Sequence, residues 1–370
     1  MVPLRSTDHD MHEKPPPKQA SAQMQSVHDP LPRTRYKSGN PTIRDVARVA
    51  GVAPITASRA LSTPDAVSDL VRQRVRDAVT QIGYVPNLLA GALASRKSRM
   101  VAAVVPNISG PVFLETIESL TNTLASHGYQ LMLGQSSYEN SREDALLDAI
   151  IGRRPDGIVL TGAMRTEQAR HKLKASGIPV VETWDLTPSP IDMLVGFSHE
   201  KIGDAVARYF HSTGRRKLAT LSGNDDRSRR RAGAFIKAAQ DLGLGQRDGN
   251  VPACYVPAPT TLASGRSSFG ELMAAAPDID AIFCSSDLMA LGVLIEAQAR
   301  GISIPGQVAL IGFGDLSFAK DLEPALTSVR VDGAAIGRMA AEFIVRRSER
   351  QSVPEPICDV GFAIVARATA

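Results

Sequence analysis

The sequence PTIRDVARVAGVAPITASRAL, residues 41–61, contains two short helical segments on either side of a glycine. In the first segment, apolar residues recur at helical spacing from Ile43 to Ala50, and Gly51 ends the helix. Thr42 can cap this helix, and the negative charge of Asp45 suits its first turn. Two helices joined by a tight turn that contains glycine predict a helix-turn-helix.

The second helix is predicted to begin at Pro54, because proline lacks the N–H that would be unbonded in a first turn. In a helix-turn-helix, this helix enters the major groove of DNA with its N-terminal residues at the base edges. Arg59 can donate two hydrogen bonds to guanine, and Ile55 can touch a thymine methyl group. A purely structural helical hairpin is the alternative. The predicted DNA contacts in this module are Thr42, Pro54, Ile55, Thr56, Ser58 and Arg59.

A third helix is predicted from Ser68 to Ile82, which completes a headpiece of residues 41–84. The positive charge of the chain is concentrated near this headpiece. Residues 41–99 hold 9 Lys and Arg against 4 Asp and Glu, whereas residues 100–370 hold 27 against 30. A basic module on a neutral or acidic body favours nucleic acid as a partner, with a solvated basic face as the alternative.

Two segments flank the headpiece. Residues 1–40 are rich in Pro, Gln, Ser and His without periodic apolar positions, and we predict a disordered tail. Residues 85–99 are predicted to be a hinge helix and linker, which Asn87 can cap. Gly91 weakens this short helix by ~1 kcal/mol relative to alanine, so it should need a partner to form.

From residue 100 onward, short apolar strands such as MVAAVVP and KLATLSG alternate with stretches long enough for helices. This alternation predicts parallel sheets covered on both faces. The length of this region is more than one such sheet usually takes, so we expect two α/β lobes. We place the first lobe at about residues 100–197 plus 309–335, and the second at about 198–308 plus 336–370.

The composition is that of a soluble globular protein, with 43% apolar and 22% charged residues. No apolar run approaches the ~20 residues of a membrane helix, and charged residues and prolines replace the apolar core of a secretory signal. The three cysteines are far apart and odd in number, so neither a disulfide framework nor a CxxC metal site follows. A reducing cytoplasm is the simplest location.

The sequence lacks the motifs of a phosphate loop, a dinucleotide site, a zinc protease and a nucleophile elbow. His199 and Glu200 form a weak acid–base pair candidate, and a solvated first turn of a helix is the simpler interpretation. We therefore predict a binding protein rather than an enzyme, with no catalytic residue, no metal and no cofactor.

Ligands of parallel α/β lobes bind beyond the carboxyl ends of the strands. The strand KLATLSG is followed by DDRSRRRAGAF, residues 225–235, which places four arginines at the start of a helix. Helix N-termini attract anions, so this cluster predicts a carboxylate or phosphate ligand. Asp287 ends another strand and can accept sugar hydroxyls, and Trp184 and Phe113 could cover a sugar face. Alternative roles are lobe packing for Trp184 and a helix cap for Asp287.

The runs TIRDVARVAGVAPITASRALS and VSDLVRQRVRDAVTQIGYVPN resemble the N-terminal module of the lactose/galactose repressor (LacI/GalR) family. The resemblance continues through both lobes to about Val365. The stretches VVPNISGPVFLETIESL, HGYQLMLGQ, GIPVVETWD and DMLVGF look most like the gluconate-type repressors of that family. The resemblance implies a small all-α helix-turn-helix headpiece plus an α/β, two-lobed, periplasmic-binding-protein-like sensor with two parallel doubly wound sheets.

In the headpiece and hinge, the resemblance adds DNA contacts by Asn87 and Leu93. Leu93 matches the leucine that wedges into a minor-groove step and kinks the DNA, whereas packing of Leu93 on the lobe is the alternative. Three departures from the family are Ala53, where serine is usual and would cap the second helix, Ala57, where valine is usual, and Gly91, where arginine is common.

In the lobes, the pattern Arg-x-x-Gly places Arg230 on the effector-binding arginine of the family, with a surface charge as the alternative. Arg229 and Arg231 have no such match and are interpreted as solvated, or paired with Asp225 and Asp226. The predicted effector contacts are Phe113, Trp184, Phe197, Arg227, Arg230 and Asp287.

The family implies a cytoplasmic, homodimeric repressor that binds a pseudo-palindromic operator, since each headpiece reads one half-site. It implies a sugar-acid effector, such as gluconate or a phosphorylated or keto relative, that releases the protein from DNA. A co-repressing sugar or sugar phosphate is the alternative, and a solute-binding protein or a sugar-modifying enzyme is more remote. Ser198 and His199 replace the Asp-Asn of many relatives, which changes one polar wall of the pocket.

Overall fold

The computed structural model describes residues 41–85, 97–107, 110–136, 140–162, 166–246 and 248–370. The described residues form two compact units, one within residues 41–85 and the other within residues 97–370. The predicted tail and the predicted hinge contacts Asn87 and Leu93 lie outside the described residues.

The first unit is a bundle of three helices, α1 (Ile43–Ala50), α2 (Pro54–Ser62) and α3 (Asp69–Ile82). The predicted apolar stripes meet in a small core that includes Val46, Ala57 and Val75, each fully buried. The helix-turn-helix prediction is confirmed.

The turn between α1 and α2 depends on Gly51. Its backbone has a φ of 65°, a left-handed conformation that glycine adopts without the steric cost of a Cβ atom. The carbonyl oxygen of Gly51 accepts a 3.4 Å hydrogen bond from Arg74 on α3. A Cβ atom at position 51 would lie 2.6 Å from Nη2 of Arg74, so the end of that side chain would have to shift, and the left-handed backbone is the stronger reason for glycine here.

The second unit contains two six-stranded sheets, one in each lobe. The strands of the first sheet are β1 (Met100–Val105), β2 (Gln130–Gln135), β3 (Gly157–Thr161), β4 (Val180–Thr183), β5 (Met193–Gly196) and β11 (Ile357–Asp359). They are parallel, in the order β11-β5-β4-β3-β1-β2. The sheet is covered by α4 (Leu114–Ser126), α5 (Asn140–Gly152), α6 (Glu167–Ser176) and α11 (Gly333–Ser348).

The second sheet consists of β6 (Leu218–Gly223), β7 (Ala253–Val256), β8 (Ala281–Cys284), β9 (Ala309–Phe313), β10 (Thr327–Arg330) and β12 (Ala363–Val365). Its order is β12-β10-β9-β8-β6-β7, and only β12 runs antiparallel to its neighbour. It is covered by α7 (His199–Ser212), α8 (Asp226–Asp241), α9 (Leu262–Ala275) and α10 (Asp287–Ala299). The prediction of two parallel, doubly wound lobes is confirmed.

Strands buried on both faces explain the continuous apolar runs of the sequence. In β1, Val101 and Ala103 belong to one core cluster, whereas Ala102 and Val104 belong to another. Successive side chains of a strand point to opposite faces, so each face receives its own layer of helices.

The predicted lobe boundaries are wrong in the last part of the chain. Residues 309–335 were assigned to the first lobe, but β9 and β10 pair in the second sheet. Residues 336–370 were assigned to the second lobe, but α11 and β11 belong to the first. The helix α11 packs so closely on β3 that a Cβ atom at Gly157 would overlap Ile344. Helical periodicity marks the apolar face of α11 but cannot say which of two sheets it covers.

The chain crosses between the lobes after β5, after β10 and after β11. The first of these crossovers agrees with the predicted boundary near residue 197. Within the described ranges, no helix combines the length and apolar character that crossing a membrane requires.

Candidate functional site

The outer face of α2 carries most of the predicted DNA contacts in exposed positions. Pro54, Ser58 and Arg59 are exposed and Thr56 is half-buried. Ile55 is 61% exposed, an unusual position for an apolar side chain of that size. The opposite face is anchored in the headpiece core by the buried residues Ala57 and Ala60. The arrangement leaves the N-terminal part of α2 free to enter a groove.

Thr42 fixes the start of α1. The carboxylate of Asp45 accepts hydrogen bonds from the backbone N–H of Thr42 at 3.0 Å and from its hydroxyl at 2.7 Å. It also accepts one from Arg48 at 2.6 Å. The hydrogen bond from the Thr42 hydroxyl, followed by that from Arg48, lowers the pKa of Asp45 to about 2. By contrast, Ala53 gives α2 no side-chain cap.

A cavity of about 220 Å³ lies between the two lobes of the second unit. Its walls come from the segments that follow β1, β4 and β5 of the first sheet and β6, β7, β8 and β9 of the second. The strand order reverses beside β1 and β6, and such switch points open a crevice at the carboxyl edge of a sheet. The topology of both sheets therefore places this cavity.

Aromatic side chains form the wall on the side of the first lobe. The rings of Phe113 and Trp184 pack edge to face with centroids 5.0 Å apart. Phe197 packs behind Trp184 at 5.6 Å and is fully buried outside the cavity lining. The Trp184 indole donates a 3.1 Å hydrogen bond to Thr116, and its backbone has a φ of 63°, which is strained for a bulky residue.

Arg231 lines the cavity from α8 and is only 4% exposed. Its guanidinium donates hydrogen bonds to His199 Nδ1 at 3.0 Å and to the carbonyl oxygen of Ser285 at 3.2 Å. The same group lies 3.9 Å from the ring centroid of Phe313. Burial lowers the pKa of Arg231 to about 10, so the side chain remains charged at neutral pH. None of these contacts neutralises that charge.

His199 connects the two lobes at the back of the cavity. Its Nε2 lies 3.1 Å from the carbonyl oxygen of Trp184, which can only accept, so Nε2 carries the proton. Nδ1 then accepts the hydrogen bond from Arg231. Burial, together with the charges of Arg231, Arg227 and Arg230, lowers the pKa of His199 well below its ordinary value. The imidazole is therefore neutral and adds no charge to the cavity.

Arg227 reaches from α8 toward the first lobe. Its guanidinium lies 5.4 Å from the ring centroid of Phe113, and a Cβ atom at Gly162 would be 3.7 Å from its Nη1 atom. This Nη1 atom is buried and has no hydrogen-bond partner within the described part of the chain. A buried donor that carries charge is costly unless something accepts from it.

Asp225 is the acidic residue of the cavity lining and the N-cap of α8. Its carboxylate accepts a 3.1 Å hydrogen bond from the backbone N–H of Ser228. Burial would raise the pKa of this carboxyl, but Arg227, hydrogen bonding from Ser228 and the charge of Arg231 bring it below its ordinary value. Asp225 is therefore ionised at neutral pH.

Two predicted effector contacts, Arg230 and Asp287, do not line the cavity. Arg230 donates two hydrogen bonds to the carboxylate of Asp185, at 2.8 and 2.9 Å, and one to Glu200 at 2.6 Å. Asp287 accepts hydrogen bonds from the Ser328 hydroxyl at 2.6 Å and the Leu316 N–H at 2.7 Å. Burial raises the pKa of Asp287 to about 6.

The structure thus places Phe113, Trp184 and Arg227 in the cavity lining, and Phe197, Arg230 and Asp287 outside it. Asp225, His199 and Arg231 line the cavity but are not among the predicted effector contacts, although the family resemblance places His199 on one polar wall of the pocket. A signal for Arg231 was available. The buried residues of α8 recur at helical spacing as Ser228, Arg231, Ala232, Phe235, Ala238 and Ala239, which puts Arg231 on the inner stripe and Arg230 off it.

Comparison with known proteins gives two matching family models. "Bacterial regulatory proteins, lacI family" matches residues 42–87, and "Periplasmic binding protein-like domain" matches residues 207–370. The HTH-type transcriptional regulator GntR of Pseudomonas aeruginosa is 38% identical over 89% of this chain and 96% of its own.

Solved structures of transcriptional regulators are also similar to this chain. A LacI-family transcriptional regulator from Silicibacter pomeroyi has a TM-score of 0.82 and 32% identity, and covers 89% of this chain and 99% of its own. The transcriptional regulator CelR, solved as a complex with cellobiose, has a TM-score of 0.65 and 27% identity, and covers 89% of this chain and 100% of its own. Since these similarities run from the helix-turn-helix through both lobes, the chain belongs to the LacI family of bacterial regulatory proteins and is a DNA-binding transcriptional regulator.

Proposed function

We propose that this regulator is a homodimeric repressor that leaves its operator when a sugar acid such as gluconate binds in the interlobe cavity. The observation that carries the proposal is the pair of cationic side chains in the cavity. Arg231 is buried and charged without a carboxylate partner, and the buried Nη1 atom of Arg227 has no acceptor within the described residues. The carboxylate of a ligand would supply the partner for Arg231 and the hydrogen-bond acceptor for Arg227.

The rest of the lining suits a polyhydroxylated chain. Hydroxyl groups of Thr260 and Ser286 lie 2.7 Å apart at the carboxyl edge of the second sheet, and Ser285 lines the cavity beside them. Asp225 can accept hydrogen bonds from ligand hydroxyls, and the aromatic wall can cover an apolar sugar face. The cellobiose complex of the relative CelR supports a sugar-derived ligand.

The location of the cavity suggests how ligand binding reaches DNA. A ligand held between Phe113 in the first lobe and Arg231 in the second stabilises the arrangement of the lobes that it fits best. Release from DNA follows if that arrangement has the lower affinity for the operator, because coupling requires a difference in ligand affinity between two states. A dimer provides the two headpieces that a pseudo-palindromic operator needs.

Calorimetry on the full-length protein tests the ligand class. Gluconate should bind, whereas sorbitol, in which a hydroxymethyl group replaces the carboxylate on the same six-carbon chain, should not bind measurably at millimolar concentration. Equal binding of sorbitol, or no binding of gluconate, its keto derivatives or its phosphorylated derivatives, would contradict a sugar-acid effector.

A DNA-binding experiment tests the response. Fluorescence anisotropy with a double-stranded site, selected from a random pool by the full-length protein, should show weaker DNA binding when gluconate is added. Arg59→Ala should abolish DNA binding and leave gluconate binding unchanged, since Arg59 lies on the outer face of α2. Tighter DNA binding with gluconate would overturn the inducer role and assign co-repression instead.

A further inference from the structure

We propose that Asp225 makes the cavity selective for sugar acids with a single negative charge and against phosphorylated sugar acids. This inference rests on the proposed function and narrows its substrate class. Gluconate and its keto derivative then remain as effectors, whereas 6-phosphogluconate is rejected.

The charge of the cavity lining limits the charge that a ligand can carry. Within the described residues, the charged side chains that line it are Arg227, Arg231 and Asp225, because His199 is neutral. Two positive charges and one negative charge leave a single positive charge to be balanced. A carboxylate balances it, whereas a phosphate would add about 1.5 to 2 further negative charges without a counter-charge. Uncompensated charge in a small, partly buried site is unfavourable.

Asp225 holds a fixed position at the start of a helix. This residue follows β6 directly as the cap of α8, the helix that also carries both cavity arginines. No ion pair within 4 Å joins Asp225 to a cation in the described parts of the chain. Its carboxylate is stabilised by the charges of Arg227 and Arg231 and by the Ser228 N–H without a close ion pair, so it stays ionised and its charge is felt by a ligand in the cavity.

The volume of the cavity also limits the ligand. The cavity volume of about 220 Å³ is below the ~300–1,000 Å³ of sites for drug-sized ligands. In a cavity of this volume, we expect a second anionic group to lie within range of the Asp225 charge when the ligand carboxylate is on the arginines. Hydroxyl groups meet no such repulsion, because a carboxylate is a good acceptor for them.

The test is the variant Asp225→Asn in the full-length protein. Asparagine keeps the shape of the side chain and caps helices as well as aspartate, so α8 should retain its N-terminus. Calorimetry would measure the dissociation constants of gluconate and 6-phosphogluconate for both proteins. The wild type should prefer gluconate, and the variant should shift the ratio of the two constants toward 6-phosphogluconate by about 10- to 100-fold. That range is what Coulomb's law gives for one charge several Å away at an effective dielectric constant near 20.

Asp226→Asn is the matched control, since Asp226 is the next residue, is exposed and does not line the cavity. It should leave the ratio unchanged. If thermal denaturation shows that Asp225→Asn fails to fold, Asp225→Ser provides a second capping residue without charge.

The outcomes separate the two proposals. A wild type that prefers 6-phosphogluconate, or an Asp225→Asn ratio equal to that of the wild type, would overturn the role of Asp225 while a sugar-acid effector stands. Failure of the wild type to bind either acid would overturn the proposed function itself.

Discussion

The two faces of helix α8 show how the same residue type takes opposite roles within five positions. On the inner face, Arg227 and Arg231 line the cavity and have no carboxylate within ion-pair distance among the described residues. On the outer face, Arg230 is paired with two carboxylates, and Arg229 is bonded to Asn224 and lies 4.8 Å from the ring centroid of Tyr255. The outer arginines are satisfied by the protein, whereas the inner arginines are prepared for an anion from outside.

The difference has an energetic reason. An exposed ion pair contributes only about 0–1 kcal/mol, because solvent screens it and the side chains lose freedom. A buried charge without a counter-charge costs several kcal/mol, and a protein that retains one has a use for it. Arg231, at 4% exposed, is close to the second situation, because Asp225 acts on it without forming an ion pair. Arg230 lies between the two, because its side chain is 37% exposed and its partners are the buried Asp185 and the exposed Glu200.

The largest effect is expected for Arg231→Gln. Glutamine removes the buried charge and the two-sided hydrogen bonding to His199 and Ser285, so gluconate affinity should fall by about 100-fold or more. Calorimetry measures the affinity, and thermal denaturation checks the fold. Arg231→Lys, which keeps charge without the planar fork, should recover only part of the binding. If Arg231→Gln binds gluconate as tightly as the wild type, the inner face of α8 does not differ from the outer face in ligand binding.

Arg227→Gln should weaken gluconate binding by about 10- to 30-fold, an amount expected for the loss of one charged hydrogen bond. The fold should be little affected, because Nη1 of Arg227 has no protein acceptor within the described residues to leave unpaired. Calorimetry and the melting temperature without ligand separate these two effects. A large loss of melting temperature with unchanged affinity would make Arg227 a structural residue.

The neutral His199 should make stability depend on pH. Its pKa is depressed in the folded protein from an ordinary value of 6.5, so only the unfolded chain takes up this proton as the pH falls. Lowering the pH from 7 to 5 should therefore cost up to about 2 kcal/mol through this residue. Urea unfolding should show a smaller pH dependence for His199→Asn, and exposed His171→Asn is the control. Equal slopes for the wild type and His199→Asn would show that His199 accepts a proton in the folded protein.

Arg230→Gln should have a modest effect. Loss of the bonds to Asp185 and Glu200 should destabilise the protein by about 1–3 kcal/mol, since the guanidinium is partly exposed but Asp185 is buried and loses its partner. Gluconate affinity should change by no more than about threefold. A loss of gluconate affinity as large as that expected for Arg231→Gln would show that Arg230 takes part in ligand binding.

The smallest effect is expected for Arg229→Gln. This side chain is exposed and touches Asn224 and Tyr255 away from the cavity lining. Stability should stay within about 0.5 kcal/mol of the wild type, and gluconate affinity should not change. A clear loss of affinity would mean that net charge near the cavity, rather than contact with the ligand, controls binding.

Prediction from sequence worked best where the signal is local. The apolar stripe and glycine of residues 41–61 predict the helix-turn-helix, which the structure confirms. The residues of the cavity were harder to predict, because the Arg-x-x-Gly pattern selects Arg230 whereas the structure brings Arg231 to the cavity. One residue along a helix is a rotation of about 100°, which is enough to turn a side chain from the cavity to the outside. The sequence also does not show that the carboxylate of Asp287 accepts hydrogen bonds from Ser328 and Leu316, which are distant along the chain.

Local sequence patterns are sufficient to predict the three-helix headpiece, the alternation of strands and helices, and the arginines at the carboxyl end of a buried strand. These features depend on periodicity, caps and glycines within a few residues of one another. The return of α11 to the first lobe, and the meeting of Arg227, Arg231, Asp225 and His199 in one cavity, are visible only in the folded chain. Such choices depend on which distant surfaces pack together and which charges find a partner there, and local patterns do not contain that information.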